Sequence, residues 1–378
     1  MPPVLRRLAV LAALALLPLA PAAAAGATAP TVDAEAYIVI DPATGESFAQ
    51  RAPDRKLPMA STTKIMTALI VLESADLDDV MTVPASAIVG ESSAQLQAGE
   101  RLSVRDLLTG LVVASGNDAA LTLAQGVAGS EAAFVARMNR RARELGLAST
   151  RFANPHGLDA RGHHSSVRDL VRVAEEAMRF PAFRRVAAQE RATIPGPAGA
   201  GTRTYVSQNT LLDLDPDADG VKTGMTDGAG YALVAHARRR SLGLELYAAL
   251  IGSPSAEARA RDGERLLDWG FSHYARATLI PADATLARIP VDDRPGTSVP
   301  VRVASELSAP LRLGEPITQT LVAPTEVTAP VEEGQTLGAV TVRQGQRVVG
   351  RRDLVAAEAA GEPGLWDRVR AGVEALVP

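Results

Sequence analysis

Ser61-Thr-Thr-Lys64 sets a hydroxyl and a primary amine three positions apart, the spacing at which side chains on a helical turn face one another. A deprotonated lysine there takes the serine's proton, and the pair becomes a nucleophile with its base. The lysine is informative because it is rare: of 39 basic residues only Lys56, Lys64 and Lys222 are lysine and the rest are arginine. An arginine cannot surrender its proton, whereas a desolvated lysine can. For Lys64 to act as base its pKa must fall by roughly 3 units, about 4 kcal/mol, and burial together with the charge of Lys222 pushes it that way. Two further groups follow in order. Ser115-Gly-Asn117 carries a second hydroxyl and an amide at a break between helical patterns; by itself the tripeptide reads as a plain turn. Lys222-Thr-Gly224 places a cation and a hydroxyl beside a glycine that leaves the backbone approachable. Such a strand edge pairs with an extended substrate and binds its terminal carboxylate.

These groups need a scaffold, and the periodicity describes one. Ala36-Tyr-Ile-Val-Ile40, a turn through Asp41-Pro-Ala-Thr-Gly45 and a second strand near Glu46–Gln50 make an opening hairpin. Ser61 to Leu72 is apolar on nearly every side after its first turn, the pattern of a helix buried in mid-domain. Ser103-Val-Arg-Asp106 and Ser166-Val-Arg-Asp169 read as capped helix starts, with helical patterning over residues 107–114, 118–128 and 131–145 between them. Strands follow over 221–226, 231–237 and 244–251, and then a closing amphipathic helix over 255–274. From about Thr278 to Val355, short Val/Thr/Leu stretches punctuated by Gly and Pro indicate a small all-β module. Leu365, Trp366, Val369, Val373, Leu376 and Val377 can share one face of a terminal helix.

At the other end, Arg6 and Arg7 precede an apolar run from Leu8 to Leu19 and small residues up to Ala25. This is an export signal cleaved near Ala25, and it makes the protein extracytoplasmic. The chain has no cysteine, which suits oxidising surroundings and excludes disulfides, thiolate-held metals and a cysteine nucleophile. With 22% charged residues and a net charge of −4, it is an ordinary globular chain without the basic surface that nucleic acid requires. The five histidines form no compact metal-ligand pattern. His163-His164, in a polar Gly/Ser-rich stretch, reads as a solvated loop, and Lys56 as a surface charge. No G-x-S-x-G elbow is present.

Ser-x-x-Lys, Ser-x-Asn and Lys-Thr-Gly in this order resemble the penicillin-recognising serine enzymes. The longer stretches Pro58-Met-Ala-Ser-Thr-Thr-Lys64, Ala114-Ser-Gly-Asn-Asp-Ala119, Asn154-Pro-His-Gly-Leu-Asp159 and Asp219 to Tyr231 narrow this. They look like the D-alanyl-D-alanine carboxypeptidases, low-molecular-mass penicillin-binding proteins of serine peptidase family S11. The resemblance covers essentially the whole chain. It implies an α+β penicillin-binding-protein/β-lactamase-like transpeptidase fold, an antiparallel sheet with a helical subdomain, followed by a small all-β domain. The expected divisions are 1–25 signal, 26–275 catalytic domain, 276–360 β-domain and 361–378 amphipathic helix. By the same resemblance Ser61 is the acyl-enzyme nucleophile, Lys64 its base and Ser115 a proton relay. Asn117 holds the substrate amide, while Lys222, Thr223 and Gly224 bind the substrate's carboxylate end. No cofactor is needed. The implied partners are peptidoglycan stem peptides ending in D-Ala-D-Ala, β-lactams as covalent inhibitors and a membrane surface under the terminal helix. The implied site is the periplasm, at the outer face of the cytoplasmic membrane. Met225 stands where several family members have His, which bears on substrate preference. The alternatives are a DD-endopeptidase, a β-lactamase, which the Ser115-Gly-Asn triplet and the lack of a clear deacylating Glu disfavour, and a non-catalytic wall-binding scaffold.

Overall fold

The computed structural model describes residues 8–9, 29–197, 201–292, 294, 296–362 and 364. Nearly all of residues 1–25, expected to be an export signal, and of residues 361–378, expected to be an amphipathic helix, lie outside the described residues. The chain divides into two compact units, one of Thr28–Arg240 with Leu244–Ser272, the other containing Ser241–Gly243 and His273 onward.

In the first unit, β1 (Ala36–Ile40) and β2 (Ser47–Arg51) form the expected opening hairpin. Three long strands come from the far end of the unit: β3 (Ala218–Thr226), β4 (Gly230–Arg239) and β5 (Leu244–Ser253). All pair antiparallel in the order β2-β1-β5-β4-β3. The strand carrying Lys222-Thr-Gly224 is therefore at a sheet edge. The buried middle positions of β1, β4 and β5 are near-continuous Ala, Val, Ile and Leu, as both faces of the sheet demand.

Between the two groups of strands runs the helical block. A 3-10 turn, Ala60–Thr63, leads into α1 (Lys64–Leu72), in which every residue from Lys64 to Val71 is buried. Around it lie α2 (Val104–Val112), α3 (Asn117–Ala128), α4 (Glu131–Glu144) and α5 (Val167–Met178). Ser103 and Ser166 cap α2 and α5 as expected, accepting from the backbone N–H of Asp106 and Asp169. The last helix, α6 (Ala256–Phe271), starts at a Ser255 cap. It is shorter than its apolar pattern because Tyr274 already belongs to a strand of the second unit.

That second unit is all-β. Tyr274–Ile280 (β6) pairs with Leu307–Arg312 (β9), while β7 (Thr285–Pro290), β8 (Ser298–Val303), β10 (Ile317–Pro324), β11 (Thr336–Gln344) and β12 (Arg347–Ala356) pair in the order β10-β11-β12-β8-β7. Its alternating strands bury a separate core that includes Val301, Val340, Val342 and Leu354. Among the described residues no single helix is long and apolar enough to cross a membrane.

Candidate active site

Ser61 and Lys64 fall within the 3-10 turn and its junction with α1. In that tighter helix positions i and i+3 eclipse one another, so Lys64 Nζ lies 2.9 Å from Ser61 Oγ. The lysine is fully buried. It also donates to Asn117 Oδ1 at 2.7 Å and to the carbonyl of His156 at 2.7 Å. Asn117 Nδ2 donates to Glu91 O at 2.8 Å, which fixes which end of that amide faces the lysine. Three acceptors suit an ammonium. A neutral amine keeps two N–H groups for Asn117 and His156, and its lone pair then faces the Ser61 hydroxyl. Burial, followed by the nearby positive charge of Lys222, holds the Lys64 pKa well below its ordinary value, with Asp118 opposing. The buried site thus favours the form of Lys64 that accepts a proton.

The acceptor on His156 is supplied by Asn154-Pro-His-Gly-Leu-Asp159. Asn154 Oδ1 accepts from the Gly157 and His156 N–H groups at 2.7 and 3.3 Å, and its Nδ2 donates to Leu158 O at 2.8 Å. Thr67 on α1 donates to Pro155 O at 2.6 Å, which binds the loop to the helix that carries Lys64. Residue types did not reveal this role, because the group that touches the lysine is a backbone carbonyl.

Ser115 sits between α2 and α3 in the left-handed region, φ +58°, and is buried. Ser92 and Ala60 are also left-handed, at +46° and +49°. Non-glycine residues pay for this conformation and keep it only where neighbours impose it. Asp118 is one such neighbour. Its carboxylate, 1% exposed, accepts from Ser93 Oγ at 2.6 Å and from the Ala94 and Leu96 N–H groups at 2.8 and 3.1 Å. The loop carrying Glu91 and Ser92 is thereby fastened to the start of α3.

Ser61, Ser115 and Asn117 face Gly224, Met225 and Thr226 across a cleft of about 760 Å³. Gly224 is where β3 meets the nucleophile turn: a Cβ there would lie 2.8 Å from Ala60 Cβ and 2.8 Å from Ser61 N. Met225 is exposed at the cleft rim. Asp159 Oδ1 and Oδ2 accept from Thr226 Oγ1 and Gly228 N, both at 2.9 Å, so the Asn154–Asp159 loop also holds the β3–β4 turn. Lys222 and Thr223 are buried and line a separate recess of about 10 Å³, with Gln208 bordering both spaces. Lys222 Nζ donates to Thr223 O at 2.9 Å. Burial and the charge of Arg259 bring its pKa to about 7.

Arg259 is a buried cation close enough to act on Lys222; it donates to Gln208 O at 2.8 Å and lies 5.8 Å from the Tyr231 ring centroid. On α6 it is one arginine among three, and only its inward position sets it apart. His163 requires a correction. The solvated loop expected of His163-His164 does not hold for it: His163 is 4% exposed, bonded through Nε2 to Thr63 Oγ1 at 2.8 Å and through Nδ1 to Ala153 N–H at 3.0 Å. A β-bridge between Arg151 and His164 makes this stretch extended, and alternation sends His163 inward and its neighbour outward. Lys56 is exposed, as expected. Among the described residues no group of His, Asp or Glu could hold a metal ion.

Two outcomes follow from this geometry. Gly224→Ala forces β3 away from Ser61 N and lowers the acylation rate at least about tenfold, read with a chromogenic β-lactam; an unchanged rate excludes the close approach as a requirement. With neutral Lys64 as the base for Ser61, acylation is expected to rise with pH along a limb belonging to Lys64. Lys222→Gln removes a positive neighbour, raises the Lys64 pKa and moves that limb to higher pH in a pH–rate profile; a limb that stays put or moves down contradicts the assignment.

Residues 23–254 match the family model described as D-alanyl-D-alanine carboxypeptidase, and residues 274–362 match that of the penicillin-binding protein 5 C-terminal domain. The chain is 33% identical over 357 residues to the D-alanyl-D-alanine carboxypeptidase DacC of Escherichia coli, covering 90% of this chain and 88% of that protein. It is 30% identical to DacF of Bacillus subtilis, covering 86% and 85%. Among solved structures, penicillin-binding protein 5 of Haemophilus influenzae superposes with TM-score 0.64 at 27% identity, over 89% of this chain and 100% of that one. A Streptomyces DD-transpeptidase superposes with TM-score 0.62 at 33% identity, over 65% and 100%. With a family model spanning most of its length and relatives aligned nearly end to end, the chain belongs to the D-alanyl-D-alanine carboxypeptidase family of serine peptidases, S11.

Proposed function

We propose that this chain is a serine-type D-Ala-D-Ala carboxypeptidase that removes the terminal D-alanine from peptidoglycan stem pentapeptides, and that β-lactams acylate the same serine. The observation that carries this reading is the buried amine of Lys64 at 2.9 Å from Ser61 Oγ, in a cleft with a sheet edge on its far side. Neutral Lys64 takes the hydroxyl proton as Ser61 Oγ attacks the carbonyl of the penultimate D-alanine. The developing oxyanion lies between the Ser61 N–H and the backbone of β3 beside Gly224, where a single donor is typically worth about 3 to 4 kcal/mol. The C–N bond breaks as the proton taken by Lys64 is relayed through Ser115 to the departing amine, so that free D-alanine leaves and Lys64 is again neutral. Water then attacks the ester and restores Ser61. Asn117 serves twice, toward Lys64 and toward the substrate amide, and the cations at Lys222 and Arg259 favour a substrate that ends in a carboxylate. The relatives' shared name favours hydrolysis of the terminal residue over the endopeptidase, β-lactamase and scaffold readings.

The location follows from the substrate. Peptidoglycan lies outside the cytoplasmic membrane, and the basic, then apolar, then small-residue order of Met1–Ala25 supplies the export signal. We place the mature protein at the outer face of that membrane, held by the apolar face of Leu365, Trp366, Val369 and Val373.

Ser61→Ala abolishes both D-alanine release from a peptide ending in D-Ala-D-Ala and labelling by a fluorescent penicillin; retained release in that variant overturns the assignment. Removal of residues 361–378 shifts the protein from the membrane pellet to the soluble fraction without loss of D-alanine release, and an unchanged distribution rejects the anchor.

A further inference from the structure

The residue before the nucleophile is in an unfavourable conformation. Ala60 has φ +49°, a conformation that a residue with a Cβ rarely adopts unless its neighbours impose it. Something must hold it, and the groups that do so are arranged around one atom, the Ala60 carbonyl oxygen. Thr63 Oγ1 donates to it at 2.9 Å. Gly157, φ +100°, lies so close that a Cβ there would be 2.0 Å from the same oxygen. Thr63 is itself held. His163 Nδ1 accepts the Ala153 N–H at 3.0 Å, so the ring's proton is on Nε2, which donates to Thr63 Oγ1 at 2.8 Å. The result is a directed chain: Ala153 N–H to His163, His163 to Thr63, Thr63 to Ala60 O. All its side-chain members are buried, and the Phe152 ring packs edge-on to His163 with centroids 6.1 Å apart.

The end of that chain matters because a peptide unit is rigid and planar. The Ala60 carbonyl and the Ser61 N–H belong to the same unit and point in opposite directions. Whatever fixes the carbonyl fixes the aim of the N–H, and a donor on the carbonyl also polarises it. The Ser61 N atom lies against Gly224 of β3 at the cleft. We propose that His163 is a positioning residue for the reaction: acting through Thr63, it orients the Ala60–Ser61 peptide so that the Ser61 N–H is aimed at the developing oxyanion. It touches neither substrate nor the reacting atoms. Its neutral form is the one that the chain requires, since a second proton on Nδ1 would face the Ala153 N–H. Burial keeps its pKa near 4, against the pull of Asp159 and with the push of His164.

The inference rests on Ser61 as the acylated serine, and the experiment separates the two. Parent protein, Thr63→Val, Thr63→Ser, His163→Leu and His163→Gln are each titrated with fluorescent penicillin for stoichiometry and acylation rate, and assayed for D-alanine release. Misdirecting one oxyanion donor lowers kcat and the acylation rate about tenfold or more in T63V and H163L, with stoichiometry kept and KM within about twofold. T63S restores the hydroxyl, and H163Q offers an amide acceptor to Ala153 and an amide donor to Thr63, so both recover most of the rate. A merely structural role instead lowers the labelled fraction while the labelled molecules react at the parent rate, and that result overturns the proposal. So does a folded T63V with parent kcat, or an H163Q as impaired as H163L. Failure of the parent itself to label at Ser61 refutes the proposed function.

Discussion

The molecule depends on a lysine amine placed where water cannot reach it. An ammonium without water is costly unless paired, and the described surroundings of Lys64 offer no carboxylate in direct contact, only a hydroxyl, an amide oxygen and a carbonyl oxygen. Asp118, the nearest countercharge, is committed to the Ser93–Leu96 loop. The amine meets this situation by yielding its proton more readily. The helical block can be read as the means of enforcing it: α1 brings the lysine inside, α3 brings Asn117, and the Asn154–Asp159 loop, bonded to Thr67, brings the third acceptor.

A second constraint is the approach of the β3 edge to the nucleophile turn. An unpaired sheet edge is normally guarded against association, yet a peptidase acting on extended chains needs one. Here the edge strand passes against the turn that carries Ser61, and the absence of side chains at Gly224 and Gly157 lets two backbone segments approach Ala60 and Ser61 closely. Left-handed Ser92 and Ser115 border the cleft, and left-handed Ala60 is buried directly before Ser61. Their strain is sustained by buried polar groups, Asp118 on one side and Thr63 with His163 on the other.

Much of this was legible from residues. The buried helix behind Ser61, the caps at Ser103 and Ser166, the break before Asn117 and the late antiparallel strands all follow from short-range patterns, because caps, turns and periodicity are local. The groups that escaped notice act across distance. His156 contributes a carbonyl, which no residue type announces. The polar neighbours of His163 suggest a solvated loop, but the bridge between Arg151 and the adjacent His164 makes the stretch extended and turns His163 inward. Arg259 resembles the other arginines of α6 until packing turns it inward. Lys222, expected to face a substrate carboxylate, is buried beside a small recess, and only the packing around the edge strand shows that Gly224 and Met225 are the residues lining the larger cleft.

The amino-acid sequence by itself determined which groups exist for the chemistry: a serine three residues before one of only three lysines, and no cysteine to compete. Their order along the chain also established the family. Only the tertiary structure decided their states. Whether an amine is a base or a cation depends on how much water and which charges surround it, and those surroundings come from segments 53 and 92 positions away from Lys64. A hydroxyl or histidine likewise takes its direction from the partner that distant backbone presents. Side-chain type is a local property, whereas protonation and orientation are set by the environment that folding assembles.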